Sequence, residues 1–569
     1  MLRLPLVLIR NLLILPVLLV RWVAARLSKP PEVISLRLSG APAYRAPAWS
    51  GWLGGAGPSI EDLTSALEAA AAEPRVKALV VRPGPLTCGW ARSEALRQLI
   101  LRFRASGKRT IAQLVEPGHK ELLVASACAE VWLHDASPVL LTGLSAEVTF
   151  LAGGLDKLAL RPQFERVGAY KGAVEPFTRS GPSEEYREWM DSVLRSLQGD
   201  LEGAIAEGRA WDQDRARATV VGGPYTSEEL LETGLVDALC PPDELGERLG
   251  DGEEEARIAG PGRFLPGPRL LPIARPPVIS VIPLHGLIRT AQPAGRSLVQ
   301  TPAAEDIARL IRRAGKDKNV RAIILHIESR GGSATGSDLI WHAVKKAREG
   351  TPVIAWMGEI AASGGYYAAS AADEIVAAPG TLTGSIGVVA GKLVVSGLLE
   401  RLGLHREIFA AGPRAGAFSS ARDFSEDELA WLRREIESVY ERFLERICVG
   451  RGMSREAVAA VAEGRVWTGR QARERGLVDR LGSWPEALDL ARSKAGIHPS
   501  QTATIRSPRA TPYGSPRALL RPSAPSASQV AASLAGLAGT PPAVLLELLE
   551  LASAPSPRAL TWAPFLSVT

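Results

Sequence analysis

At 569 residues the chain is too long for one ordinary domain, and 46% hydrophobic with 22% charged residues describes a globular protein rather than a disordered one. The net charge of +6 arises from 67 basic and 61 acidic residues spread along the whole length, so the basic balance marks no nucleic-acid footprint and no nucleic-acid partner is expected. Cys88, Cys128, Cys240 and Cys448 lie far apart without paired spacing, which argues against a disulfide framework and against a metal site.

Residues 1–28 are strongly apolar, but Arg10 and Arg21 leave only Asn11 to Val20 uncharged, short of the roughly 20 residues that a spanning helix needs. Arg3, Arg10 and Arg21 fall on one face at about 100° per residue. The expectation is an amphipathic membrane-anchor helix lying in the interface or dipping into the bilayer, kinked at Pro16. A signal peptide or a helix docked on a partner protein are the alternatives.

From residue 32 onward the two halves resemble each other at an offset close to 244 residues. Val76-Lys-Ala-Leu-Val-Val81 answers Val320-Arg-Ala-Ile-Ile-Leu325, and Leu155-Asp-Lys-Leu-Ala-Leu160 answers Leu399-Glu-Arg-Leu-Gly-Leu404. Tyr225-Thr226 with Gly234-Leu-Val-Asp237 answers Trp467-Thr468 with Gly476-Leu-Val-Asp479. Registered matches this numerous imply a tandem duplication. Each half alternates short Val/Ile/Leu runs with amphipathic stretches such as 303–314 and 337–349, the pattern of βαβ units on a largely parallel sheet. The predicted organisation is therefore two α/β domains over 32–245 and 277–495, a Pro/Gly-rich linker over 246–276, and an Ala/Pro/Ser-rich tail over 496–569. That tail is expected to be loop apart from a short helix from Pro542 to Leu551.

The run Gly358 to Ser370 follows an apolar stretch and reads as a buried strand turning sharply into a helix near Ser363. There Ser363 is either an ordinary helix cap or a nucleophile beside the unpaired N–H groups of a helix start. Mismatches between the halves separate these. Ser363 falls opposite His119, Gly364-Gly365 opposite Lys120-Glu121, and Gly331-Gly-Ser333 opposite Pro83-Gly-Pro-Leu86, so the first half lacks both a nucleophile and a glycine pair. In the opposite sense Tyr170-Lys171-Gly172 matches Arg414-Ala415-Gly416. One half keeps a Ser and the other a Lys, which predicts a single site built across both: Ser363 as nucleophile, Lys171 as general base, and backbone N–H groups of Gly332 and Gly364 as an oxyanion hole. A lysine acts as a base only if burial depresses its pKa from about 10.4 toward neutrality. The apolar neighbours Gly172, Ala173 and Val174 make that setting plausible. Lys392 is the other base to weigh, Ser385 either orients the amine or caps its turn, and none of the histidines is a good candidate; His326 and His342 suit core or surface roles and His405 opens a strand.

Ala361-Ala-Ser-Gly-Gly-Tyr-Tyr367, Thr383-Gly-Ser-Ile-Gly387, Gly168-Ala-Tyr-Lys-Gly-Ala-Val-Glu-Pro176 and Val466-Trp-Thr-Gly469 together resemble the signal peptide peptidase A family in its long tandem form (protease IV). The resemblance implies tandem ClpP/crotonase-like domains and a Ser/Lys serine protease without a cofactor. It also implies a homotetramer at the bacterial inner membrane, catalytic part facing the periplasm, that degrades cleaved signal peptides. On it, Ser363 takes the nucleophile's place, Lys171 the base's, Ser385 that of the orienting hydroxyl, and Gly332 and Gly364 those of the oxyanion glycines. One departure is Ser329-Arg330-Gly331-Gly332 where the family's loop resembles Ser-Pro-Gly-Gly, which predicts a looser loop with Arg330 at the cleft. Two other classes compete: an acyl-CoA hydratase or isomerase using Glu328 or Glu359 as acid and base, and an inactive membrane scaffold.

Overall fold

The computed structural model describes residues 3–27, 31–45, 57–250, 254–265, 276–291, 303–498, 501, 503–508 and 560–562. The first half supplies strands β1 (Val33–Gly40), β2 (Ala78–Leu86), β3 (Arg109–Leu114), β4 (Glu130–Leu133), β5 (Arg161–Val167), β6 (Ala238–Leu239) and β7 (Ile258–Ala259). All but β5 form one sheet in the order β6-β4-β3-β2-β1-β7, and every pairing in it is parallel. Its edge strand β7 lies in the stretch expected to be linker, and it pairs with Val33 and Ile34 of the first strand.

The second half supplies β8 (Val278–His285), β9 (Val320–Ser329), β10 (Gly331–Ser333), β11 (Val353–Ala362), β12 (Glu374–Ala377), β13 (Leu382–Gly384), β14 (Val388–Val394), β15 (Val466–Thr468) and β16 (Arg480–Leu481). The tail adds β17 (Thr504–Arg506) and β18 (Leu560–Trp562), two short strands where loop was expected. The predicted helix at 542–551 lies outside the described residues. Eight of these strands form a second sheet, ordered β15-β13-β11-β9-β8-β17 with β12 on β11 and β16 on β12, parallel except at β13/β15. The apolar run Ala322–Leu325 reads as a parallel strand covered on both faces, and all four residues have no accessible surface.

The period-2 alternation of a strand decides what each face touches. Ile323, Leu325, Ile327, Val353, Ala355 and Met357 join one cluster with the helices Ala304–Lys316 and Ala334–Ala347. Ala322, Ile324, Ile354 and Trp356 instead join the cluster that holds the first-half core, including Leu99 and Ile100 of the helix Trp90–Arg104. The two halves therefore share one hydrophobic core across their seam, and Trp356 at its centre stacks on His326 and meets Tyr44 and Trp484 edge-on or tilted.

A third, antiparallel sheet stitches the halves together in the order β10-β18-β14-β5. β5 and β14 pair over seven positions from Val167↔Val388 to Arg161↔Val394. This register fixes the seam, because Lys171 follows β5 by four residues and Ser385 precedes β14 by three.

The N-terminal helix runs from Arg3 to Leu27 and continues through Pro16, where a kink was expected. Leu8, Ile9, Leu12, Leu13, Leu19 and Val20 on it are exposed. Among the described residues no helix is long and apolar enough to cross a membrane.

Candidate active site

β11 delivers the chain to Ser363, which adopts φ 55° and ψ −115° before the helix Gly364–Ala369 begins. Positive φ at a residue other than glycine costs about 1 to 3 kcal/mol and persists only where surroundings over-determine it. Here the Ser363 N–H donates to Gly384 O at 2.8 Å and its carbonyl accepts from Tyr367 N at 2.8 Å. The hydroxyl makes no capping bond, so the ordinary-cap reading fails. Instead Ser363 Oγ lies 2.7 Å from Lys171 Nζ.

Lys171 Nζ is also 2.8 Å from Ser385 O and 3.0 Å from Ser385 Oγ. Lys171, Ser363 and Ser385 are all fully buried. When the amine is neutral, its two N–H groups can donate to Ser385 and leave the lone pair facing the Ser363 hydroxyl. Burial alone holds the Lys171 pKa well below its ordinary value, with no carboxylate drawing it back up. Ser385 itself has φ 51°, so two of the three residues sit in backbone conformations that side chains rarely adopt. Lys392, the other lysine weighed as base, donates to Ala417 O at 2.6 Å, covers the Phe424 ring, and has its pKa lowered to about 8, chiefly by burial.

Gly332 lies in β10 with φ 142°, and a Cβ there would stand 2.3 Å from Ile288 O, so no other residue fits without a shift. Gly364 is the buried first residue of its helix, where N–H groups have no partner within the helix. The helix approaches the glycine loop closely: a Cβ on Gly365 would lie 2.8 Å from Ser329 O. The loop is not loose. Ser329 Oγ donates to Gly286 O at 2.7 Å and accepts from Gly331 N at 3.1 Å, doing by hydrogen bonds what a proline would do by ring closure. Arg330 beside it is half-buried.

The residues proposed for hydratase chemistry have a different occupation. Glu359 Oε1 accepts from Gly89 N at 3.1 Å and Arg92 N at 3.2 Å, capping the first-half helix Trp90–Arg104 from across the seam. Glu328 Oε1 accepts from Arg92 Nη2 and Glu359 N, each at 3.2 Å. Burial first and the Glu359 charge second push the Glu328 pKa up to about 7. Arg92 in turn lies over the Tyr44 ring. This inter-half clamp was not legible from the sequence, since nothing local to Arg92 or Tyr44 marks their partners.

The three histidines weighed from the sequence are engaged elsewhere: His326 with His285 at 3.0 Å, His342 with Arg446, and His405 with Glu407 in a segment that forms no strand. Among the described residues no group of three or more His, Cys, Asp or Glu could hold a metal ion. The matched place in the first half is closed. Glu121, opposite Gly365, is buried and accepts from Leu86 N at 2.6 Å and Gly118 N at 3.0 Å, so its carboxylate covers the backbone N–H of the first-half counterpart of the glycine loop.

A tandem α/β fold in which a buried serine meets a buried lysine at the seam of the two halves is an arrangement suited to hydrolases. The chain belongs to peptidase family S49, whose model matches residues 103–254 and 345–498, one stretch in each half. It is 32% identical over 461 residues to "Serine protease SPPA, chloroplastic" of Arabidopsis thaliana, covering 79% of this chain and 68% of that protein. It is also 32% identical over 457 residues to Protease 4 of Haemophilus influenzae, covering 76% and 72%. A Listeria monocytogenes ClpP1 mutant overlaps 37% of this chain and 94% of its own at 18% identity and a TM-score of 0.24. By family the chain is a serine peptidase.

Proposed function

We propose that the chain is a Ser/Lys endopeptidase that cuts extended, apolar peptides at the membrane surface, cleaved signal peptides among them. One observation carries this reading: Lys171 Nζ and Ser363 Oγ, from different halves, stand 2.7 Å apart with both groups fully buried. Neutral Lys171 takes the hydroxyl proton, Ser363 Oγ attacks the peptide carbonyl, and the ammonium so formed returns its proton to the leaving amine. Ser385 holds the amine toward Ser363. N–H groups of Gly332 and Gly364 receive the developing oxyanion, where one donor is worth about 3 kcal/mol.

The glycine loop can pair with an extended strand: Gly331, Gly332 and Ser333 pair antiparallel with residues 562, 561 and 560 of the chain's own β18, whose place an extended substrate would take. Strand addition supplies affinity through the main chain, and the small residues Ala361, Ala362 and Gly364 beside Ser363 suit small apolar side chains such as Leu and Ala. The hydratase alternative is disfavoured because both of its carboxylates are committed to Arg92 and a helix start. The finer assignment to the bacterial inner membrane, periplasm-facing and homotetrameric, rests on likeness to the family.

A fluorophosphonate probe is expected to label the full chain and to leave Ser363→Ala unlabelled; labelling of that variant would remove Ser363 as nucleophile. A chain lacking residues 1–28 is expected to cut soluble peptides in detergent at the normal rate and to clear bilayer-embedded peptides several-fold more slowly, because anchoring raises local substrate concentration. Equal clearance would assign the exposed apolar helix another role.

A further inference from the structure

We infer that the second-half turn Ala462–Arg465 is what positions the first-half Lys171, with Gly464 as its critical positioning residue. The inference rests on the Ser363/Lys171 reading above. The turn touches both pieces of chain that meet at the amine. On the lysine side, Glu463 O accepts from Tyr170 N at 2.8 Å, and the Glu463 carboxylate accepts from Ala169 N at 3.1 Å. On the other side, Arg465 O accepts from Ser385 N at 2.7 Å, and Gly464 N donates to Ile386 O at 2.7 Å. One turn therefore sets the separation between the Lys171 segment and the Ser385 segment, although those segments lie in different halves of the chain.

Packing is tightest at the glycine. Gly464 has φ 78°, and a Cβ on it would lie 2.5 Å from Lys171 N and 2.6 Å from both Lys171 Cα and Cβ. Backbone atoms cannot yield as the end of a flexible side chain does, so any side chain here pushes the lysine's own main chain. The approach is made from both directions: a Cβ on Gly168 would lie 2.6 Å from Glu463 C, and one on Gly387 would lie 3.0 Å from Gly464 Cα and 3.1 Å from Lys171 Cδ. Glu463 also has positive φ, 55°, and its carboxylate is tied to Tyr440 OH at 3.0 Å on the helix Glu426–Arg451. Outside the turn, Arg465 pairs with Glu188 and stacks on Tyr170, closing the seam over the buried amine.

The charged groups around Lys171 are Glu463 and Arg465 of the turn, Arg166 of β5, Glu175 just after Lys171, and Glu188 of the helix Glu184–Arg209. Four of them pair off, Arg166 with Glu175 at 2.7 Å and Arg465 with Glu188 at 2.8 Å, while the Glu463 carboxylate accepts from Ala169 N and Tyr440 OH; burial is what lowers the amine's pKa. The amine's protonation is thus governed by how dry its seat is, and the turn is what closes that seat.

The test compares Gly464→Ala with Gly476→Ala. Gly476 has a similar φ of 71°, but a Cβ on it would meet nothing within 4 Å. Both variants carry the same backbone strain, and only the first presses on Lys171. Gly464→Ala is expected to lose ten- to hundredfold in kcat, the scale of about a 1 Å misplacement, with KM little changed. The acid limb of its pH–activity profile, set by protonation of Lys171, should move to higher pH as water reaches the amine. Gly476→Ala should keep both the rate and the limb. Equal behaviour of the two variants, or a wild-type limb in Gly464→Ala, overturns the inference. If Gly464→Ala does not fold, Glu463→Ala, which frees Ala169 N without adding bulk, must move the limb in the same direction or the inference falls. Failure of the dyad itself looks different, because Ser363→Ala would then retain activity in the wild-type background.

Discussion

Ser363→Ala and Lys171→Ala are each expected to cut peptide hydrolysis by roughly ten-thousandfold or more, and the double variant by no more than either alone, because a nucleophile and its base act as one unit. Both groups are fully buried at the seam and share a 2.7 Å contact. Lys171→Arg should be as inactive as Lys171→Ala, since a guanidinium keeps the charge and cannot accept a proton. Steady-state hydrolysis of a Leu/Ala-rich peptide, with circular dichroism to verify folding, measures all four. Turnover by a folded Lys171→Arg within tenfold of wild type would show that the serine is activated by some other group. Lys392 would then be the first to test, although its amine is committed to Ala417 O.

The Ser and the Lys were legible in the sequence because duplication supplies an internal control. A lone lysine after a tyrosine is unremarkable, but a lysine kept where the matched position holds Ala415, opposite a serine kept where the other half holds His119, points to one shared site. The parallel sheets were legible too, since short β-branched runs such as Ala322 to Leu325, alternating with amphipathic stretches, suit strands covered on both faces. What could not be read is pairing between residues far apart in the chain. The β5/β14 ladder, the Arg92 clamp on Glu328 and Glu359, and the turn at Gly464 each depend on how the halves dock, and docking leaves no local periodicity. Short edge strands were missed for a related reason. β7 and β17 have two and three residues in Pro-rich or Ala/Ser-rich surroundings, so they gain their order from the sheet edge and not from their own composition. Glu121 carried a usable signal: an acidic residue opposite Gly365 is what a closed, unused copy of the loop needs.

The second large effect is on pH dependence, where activity and stability both follow from Lys171. Only the neutral amine can take the serine proton, so kcat/KM should fall about tenfold per unit on the acid side of the folded-state pKa and level off above it. That pKa lies well below the ordinary lysine value because burial disfavours the ammonium. The same depression fixes the sign for stability. Between the folded and unfolded pKa values the unfolded chain carries a proton that the folded chain has lost, so stability rises with pH through that window. The burial penalty is fully present below the folded value and disappears above the unfolded one. Lys171→Met keeps the volume and removes the charge, so it should unfold at a higher denaturant midpoint than wild type at neutral pH while being catalytically dead, the trade expected where an active site stores an unfavourable group. Chemical denaturation of both proteins at pH 7 and pH 10 isolates this from all other titrations, which are common to the pair. The wild type should gain more on going to pH 10 than Lys171→Met does. An identical gain in both would mean that Lys171 is not held neutral by the fold, and a serine activated by a neutral lysine would have to be given up.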